Sequence, residues 1–188
     1  MKSVLISIQP YWVFLIIAQK MGWDYPACKT IEVRKNYPQD EAWDKTVKIY
    51  CSKNPESFKR IPERFRFLME PYMGKIIGEF VCDKITTAEY GCYYKLATPE
   101  TQISASELMK YANDKPVYGW HINNLKIYDT PKKLSEFNKP CTASDIPVDC
   151  RSCRFYFAGT DFAEPRCKDG ERVVKRPPQS WSYISTEF

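Results

Sequence analysis

In the stretch Lys29-Thr30-Ile31-Glu32-Val33-Arg34, charged and polar side chains alternate with branched apolar ones. In an extended backbone Thr30, Glu32 and Arg34 project to one side and Ile31 and Val33 to the other. An acid and a base two residues apart, on a strand that also carries a core face, are held at fixed separation. A recognition or catalytic pocket needs such fixed separation of charged groups. The plainer reading, the wetted side of a half-exposed strand, fits the same residues.

Positioning these groups requires regular elements on either side. Apolar residues over 4–8 predict a strand, and Pro10 ahead of Tyr11-Trp12-Val13-Phe14 predicts a helix over 10–21. Further strands are predicted at 30–34, 47–51, 76–85 and 117–128, with strand-like residues around Val173 and over 181–184. Ser104 three residues before Glu107 forms a capping box for a helix over 104–112. Pro55, Pro62 and Pro71 predict an irregular insertion over 53–73 with a short helix around Glu63 to Glu70, and Thr130 to Phe137 a turn or short helix. The mixture is α+β.

At 188 residues the chain suits one main core with an appendage rather than two ordinary domains. A net charge of +5 permits contact with nucleic acid without demanding it. The basic residues concentrate between Lys45 and Lys75, interleaved with Phe58, Phe65 and Phe67, a pattern that suits either a phosphate-tracking groove or an amphipathic segment with its rings in the core. Lys2 before a hydrophobic stretch imitates a signal peptide, but Gln9-Pro10 divides that stretch into pieces too short to span a bilayer. A cytoplasmic protein with no membrane contact is therefore expected, and its cysteines are read as thiols or ligands before disulfides.

Four of the eight cysteines, Cys141, Cys150, Cys153 and Cys167, are spaced C-x8-C-x2-C-x13-C. The central pair has the spacing of a metal knuckle, since two intervening residues let both thiolates face one tetrahedral ion. Structural Zn²⁺ is the expectation, and four thiolates would close its coordination sphere. Free thiols and a redox pair are the other readings.

Taken in order, Ser7-Ile8-Gln9-Pro10, Lys29 to Lys35, Ile76-Ile77-Gly78-Glu79-Phe80 and Tyr118-Gly119-Trp120-His121-Ile122 resemble the ASCH domain of the PUA-like superfamily. Tyr128 to Phe137 and Lys175 to Trp181 resemble the long ASCH proteins of phages and gut bacteria. The resemblance covers nearly all of the chain. It implies a mixed β-barrel with flanking helices over 1–139, a Cys-rich zinc-binding insertion over 140–170 and a segment over 171–188 that returns to the barrel. It also implies a cleft associated with RNA or with bases, including modified ones, bordered by the Pro10 helix and by Lys29, Glu32 and Arg34. Trp120 is then a stacking face or a core residue, and Gln9, His121, Ser7 and Ser52 are further polar contacts. Arg176, Gln179 and Trp181 either fold back beside the barrel or serve as a strap.

Three functional classes follow. The first is a binding module for RNA or a modified nucleotide. The second is an amidohydrolase on acylated cytidine-type nucleosides, which in an ASCH fold uses a lysine, a threonine and a glutamate. Lys29 matches the lysine, but Glu32 stands where the threonine belongs, Thr30 is displaced by roughly 6–7 Å along the strand, and Glu79 is the spare carboxylate. The third is a phage-encoded interaction protein contacting a host protein through 53–73 and the cysteine region. The missing hydroxyl places binding ahead of catalysis.

Overall fold

The first strand, β1 (Lys2–Ile8), sends Val4, Ile6 and Ile8 into one core and Leu5 into another. A strand covered on both faces reads as a continuous apolar run instead of an alternation. The computed structural model describes residues 2–38, 45–140, 156–157, 166–167 and 173–185. In it β1 joins β3 (Lys45–Cys51), β4 (Ile76–Cys82), β7 (Asn123–Lys132) and β10 (Trp181–Ser185) in a five-stranded sheet of order β10-β1-β3-β4-β7. The β1–β3 pair is parallel and the other pairs are antiparallel. A second, antiparallel sheet has the order β2 (Ile31–Arg34), β6 (Val117–His121), β5 (Ile85–Ala88). The expected α+β mixture is present, with these strands divided between two sheets.

The main core lies between the larger sheet and helix α1 (Pro10–Ile17), where Phe14 meets Trp23, Tyr25 and Phe65 in an aromatic cluster. Pro10 opens α1, and the exposed N–H of Tyr11 donates to Ser57 Oγ at 3.1 Å. The helix stops at Ile17, short of the expected residue 21, and turns out through Gly22 at φ +69°, a conformation that suits glycine. A smaller core joins Val33 of β2 to Leu108 and Ala112 of α4 (Ala105–Ala112), whose predicted capping box from Ser104 and Glu107 is formed.

Three local expectations differ from the structure. Residues 76–85 and 117–128 are not each one strand, because the chain bends at Asp83-Lys84 and at Ile122 and passes between the two sheets. Alternation of period two continues through such a bend and cannot reveal it. Thr130 and Pro131 belong to β7 rather than to a turn, and β7 is an edge strand, where proline leaves no partner strand without its N–H. Residues 53–73 contain the expected short helix as α3 (Glu63–Met69) but are more regular than expected, adding α2 (Pro55–Lys59) and a 3₁₀ turn, since Pro55 and Pro62 stand at or just before helix starts rather than within helices.

β8 (Tyr156–Phe157) and β9 (Arg166–Cys167) pair antiparallel, with Tyr156 opposite Cys167. Cys141, Cys150 and Cys153 lie outside the described residues, and for Cys167 only the backbone is described. Among the described residues no group of three or more His, Cys, Asp and Glu is placed to hold a metal ion, and no helix is long and apolar enough to cross a membrane.

On the outer side of the larger sheet, Lys48 Nζ and the Tyr128 hydroxyl both donate to Glu79 Oε2 at 2.7 Å. Burial alone would raise the Glu79 carboxyl, but these two hydrogen bonds together with the charges of Lys48 and Lys126 outweigh it and hold the group below the usual range. A carboxyl so depressed stabilises the fold above its unfolded pKa, and the contribution is lost as pH falls through the folded value. Glu79→Gln is expected to cost roughly 1–2 kcal/mol at neutral pH. In thermal melts its deficit against the parent should close below about pH 4, near and under the ordinary glutamate value. A deficit that persists in acid would contradict this assignment.

Candidate functional site

Because Val33 faces the smaller core, its neighbours Glu32 and Arg34 turn to the opposite side of β2, toward β1 and the start of α1. Lys29 approaches the same point, its backbone N–H bonded to the Leu15 carbonyl at 3.0 Å. The three charged side chains meet there. Glu32 Oε2 is 3.4 Å from Lys29 Nζ, and Glu32 Oε1 is 3.0 Å from Arg34 Nη2. Lys29 Nζ also donates to the Thr101 carbonyl and Arg34 Nη2 to the Ser7 carbonyl, each at 2.6 Å. Lys29 is 1% exposed, Glu32 5% and Arg34 9%.

Two cations thus share one carboxylate inside the protein. Burial pushes the Lys29 ammonium below its ordinary pKa, Glu32 opposes that fall, and Arg34 adds to it. Arg34 Nε is buried and has no acceptor among the described residues. A donor in that condition is costly unless a ligand or water completes it. The Thr101 carbonyl is fixed in turn: Thr101 Oγ1 donates to Leu96 O at 2.6 Å, and Gln102 adopts φ +58° beside it.

The triad forms one wall of an open pocket of about 170 Å³, lined also by Gln9, Trp12, Val33, Ile103, Glu107 and Tyr111. Ordinary small-molecule sites occupy roughly 300–1,000 Å³, so this one admits a single ring system and not a whole nucleotide. Lys29 Nζ lies 5.0 Å from the centroid of the Trp12 ring. The exposed Arg60 stacks its guanidinium on Tyr11 and Trp12, 4.2 and 5.0 Å from their centroids.

Among solved structures the chain is similar to the ASCH protein of Zymomonas mobilis, at 14% identity and a TM-score of 0.54, over 98% of this chain and 88% of that one. A point mutant of that protein matches at the same identity and TM-score, over 99% and 92%. The chain has the ASCH fold. No protein-family model matches the sequence, and no curated protein does so at a significant level. The agreement therefore lies in the path of the backbone, with the sequence far diverged along it.

Within this ASCH fold the expected residues divide into two sets. Gln9, Lys29, Glu32 and Arg34 gather at the pocket. Trp120 is the cross-strand neighbour of Glu32 and shares its face of the sheet, but its indole is fully buried against Trp181, at 6.5 Å between ring centroids. His121 turns away, its Nε2 2.8 Å from Thr86 Oγ1. Thr30 is exposed just before β2, and Glu79 belongs to the Lys48 cluster on the outer side of the larger sheet. Ser7 contributes only its carbonyl, and Ser52 lies outside the lining. Arg176 and Gln179 are exposed, while Trp181 pairs β10 to β1 and donates from Nε1 to Asn36 Oδ1 at 3.0 Å.

Trp12, Ile103, Glu107 and Tyr111 were not singled out from the sequence. A signal existed for two of them: Glu107 and Tyr111 stand four apart, beside the apolar stripe of Leu108 and Ala112, and so share one side of α4. Nothing local to Thr101 announces its carbonyl as the seat of a lysine.

Removing the shared carboxylate leaves two buried cations uncompensated, so Glu32→Gln should destabilise by about 3 kcal/mol or more. Lys29→Met removes the one cation in excess of the carboxylate and should cost much less. Urea unfolding of the two variants checks this, and equal losses would contradict a triad organised around Glu32.

Proposed function

We propose that this protein binds a nucleobase, carried by a nucleoside or nucleotide, in the pocket of its ASCH fold. The observation that carries the reading is the buried set Lys29, Glu32 and Arg34 opening onto a ring-sized space beside Trp12 and Tyr111. A heterocycle presents alternating donors and acceptors along one edge and a π-face on either side. Glu32 accepts from an exocyclic amine, Arg34 and Lys29 donate to ring nitrogen or carbonyl oxygen, and the aromatic side chains offer stacking surface. Burying two cations with one carboxylate costs stability that apolar packing would not, which supports a role for these groups in recognition.

The hydrolase reading draws on Lys29, whose lowered pKa suits a general base. Against it, none of the described residues lining the pocket is Ser, Thr or Cys, and Thr30 and Glu79 lie elsewhere. Binding without turnover is the better account of these positions.

Calorimetric titration with the four ribonucleosides and with an acylated cytidine tests the proposal. At least one should bind, and Arg34→Met and Trp12→Ala should each weaken it tenfold or more, about 1.4 kcal/mol, with circular dichroism unchanged. No binding by any of the five, or binding indifferent to both variants, would refute it.

For the cysteines we propose a structural zinc clasp. The Cys150–Cys153 spacing supports it, as does the β8–β9 register, which sets Cys167 opposite a residue three positions after Cys153. Mass spectrometry of elements in the purified protein should find one zinc per chain, lost in Cys150→Ser/Cys153→Ser, and a metal-free parent would overturn the clasp.

A further inference from the structure

The segment over 173–185 takes no part in lining the pocket, yet it is bonded to both stretches of chain that hold Arg34. β10 pairs antiparallel with β1 as far as Trp181 opposite Ile6, which sets Ser180 opposite Ser7. In a continuing ladder these two residues would exchange both of their backbone hydrogen bonds. Here one is made, from the Ser7 N–H to the Ser180 carbonyl at 3.0 Å. The Ser7 carbonyl is taken instead by Arg34 Nη2 at 2.6 Å. The guanidinium therefore enters the sheet edge at the point where the ladder stops.

Two residues beyond Arg34, Asn36 is held by the same segment. Ser180 Oγ lies 3.2 Å and Trp181 Nε1 3.0 Å from Asn36 Oδ1. An indole N–H can only donate, so the atom it meets is the amide oxygen. These contacts close a ring: Arg34 to the Ser7 carbonyl, the Ser7 N–H to Ser180, Ser180 to Asn36, and Asn36 back along the chain to Arg34. Trp181 also packs on Trp120, the cross-strand neighbour of Glu32. Its segment thus reaches the Arg34–Glu32 pair by two routes, one polar and one apolar.

We propose that Asn36, Ser180 and Trp181 are positioning residues for the pocket: they lock the end of β1 to the chain just after β2 and so set the orientation of the Arg34 guanidinium. A planar fork recognises a ligand edge through its direction as well as its charge, and a shift of about 1 Å is enough to spoil such a geometry. The inference rests on the pocket reading above for its effect on binding. It gives the segment over 173–185 a part in recognition through the polar ring of contacts, beyond the packing of an indole.

The test compares three variants of the full chain. Asn36→Leu removes the shared acceptor, Trp181→Phe keeps a ring against Trp120 but removes its donor, and Asn36→Asp keeps an oxygen for both donors. Asn36 is exposed, so all three should fold, which circular dichroism checks. With whichever of the five nucleosides binds the parent most tightly, Asn36→Leu should weaken binding roughly three- to tenfold and Trp181→Phe roughly two- to threefold, the scale of one or two net hydrogen bonds. Asn36→Asp should bind as the parent does. Added to Arg34→Met, Asn36→Leu should weaken binding no further, because its effect passes through Arg34. In the ligand-free protein the Arg34 Nε–H resonance should shift in Asn36→Leu and return in Asn36→Asp. Full affinity in Asn36→Leu, an unmoved Arg34 resonance, or the same loss on top of Arg34→Met would overturn the positioning role and leave the pocket reading intact. If the parent binds no nucleoside the pocket reading falls, and the positioning of Arg34 stands or falls on its resonance alone.

Discussion

One carboxylate shared by two buried cations is the constraint around which this molecule is arranged. Lys29, Glu32 and Arg34 are all at least nine-tenths buried, and each of the two cations is held by a carbonyl from a different part of the chain. Lys29 needs the carbonyl of Thr101 and Arg34 that of Ser7, so the loop before α4 and the end of β1 must both close on β2. Ions placed this way gain nothing over well-packed apolar residues unless their geometry is complete. Here it is nearly complete, and Arg34 Nε is the donor of the set left without an acceptor among the described residues.

The fold supplies these partners by dividing its strands between two sheets. β4 passes into β5 at Asp83-Lys84 and β6 into β7 at Ile122, so that Trp120 of the smaller sheet joins the core between the larger sheet and α1. β2 belongs to the smaller sheet and places Val33 in one core while its other face borders the main one. The pocket is the place where the main core ends and the triad begins. Trp120 is what keeps that interior filled.

Much of this was legible from local chemistry. The alternation of residues 29–34 predicts that Glu32 and Arg34 share a side, and Pro10 predicts where α1 begins. The α4 capping box is readable because its hydrogen bonds close within four residues. What was not legible depends on contacts between distant segments. The strand bends at Asp83-Lys84 and Ile122 keep the period of an unbroken strand, and the Thr101 carbonyl is a backbone group with no sequence signature. Trp120 shows the limit of facing arguments: it lies on the same side of the sheet as Glu32, yet one step across the strands separates a pocket residue from a core one.

The central claim is that Arg34, held by Glu32 and Ser7, is the group a nucleobase meets in the pocket. Arginine side-chain NMR measures this directly, since a buried Nε–H gives a resolved and slowly exchanging resonance. On titration with a nucleoside the Arg34 Nε–H signal should shift and gain protection, while arginines far from the pocket stay in place. An Arg34 signal that does not move at saturating ligand, with changes confined to other residues, would contradict the account.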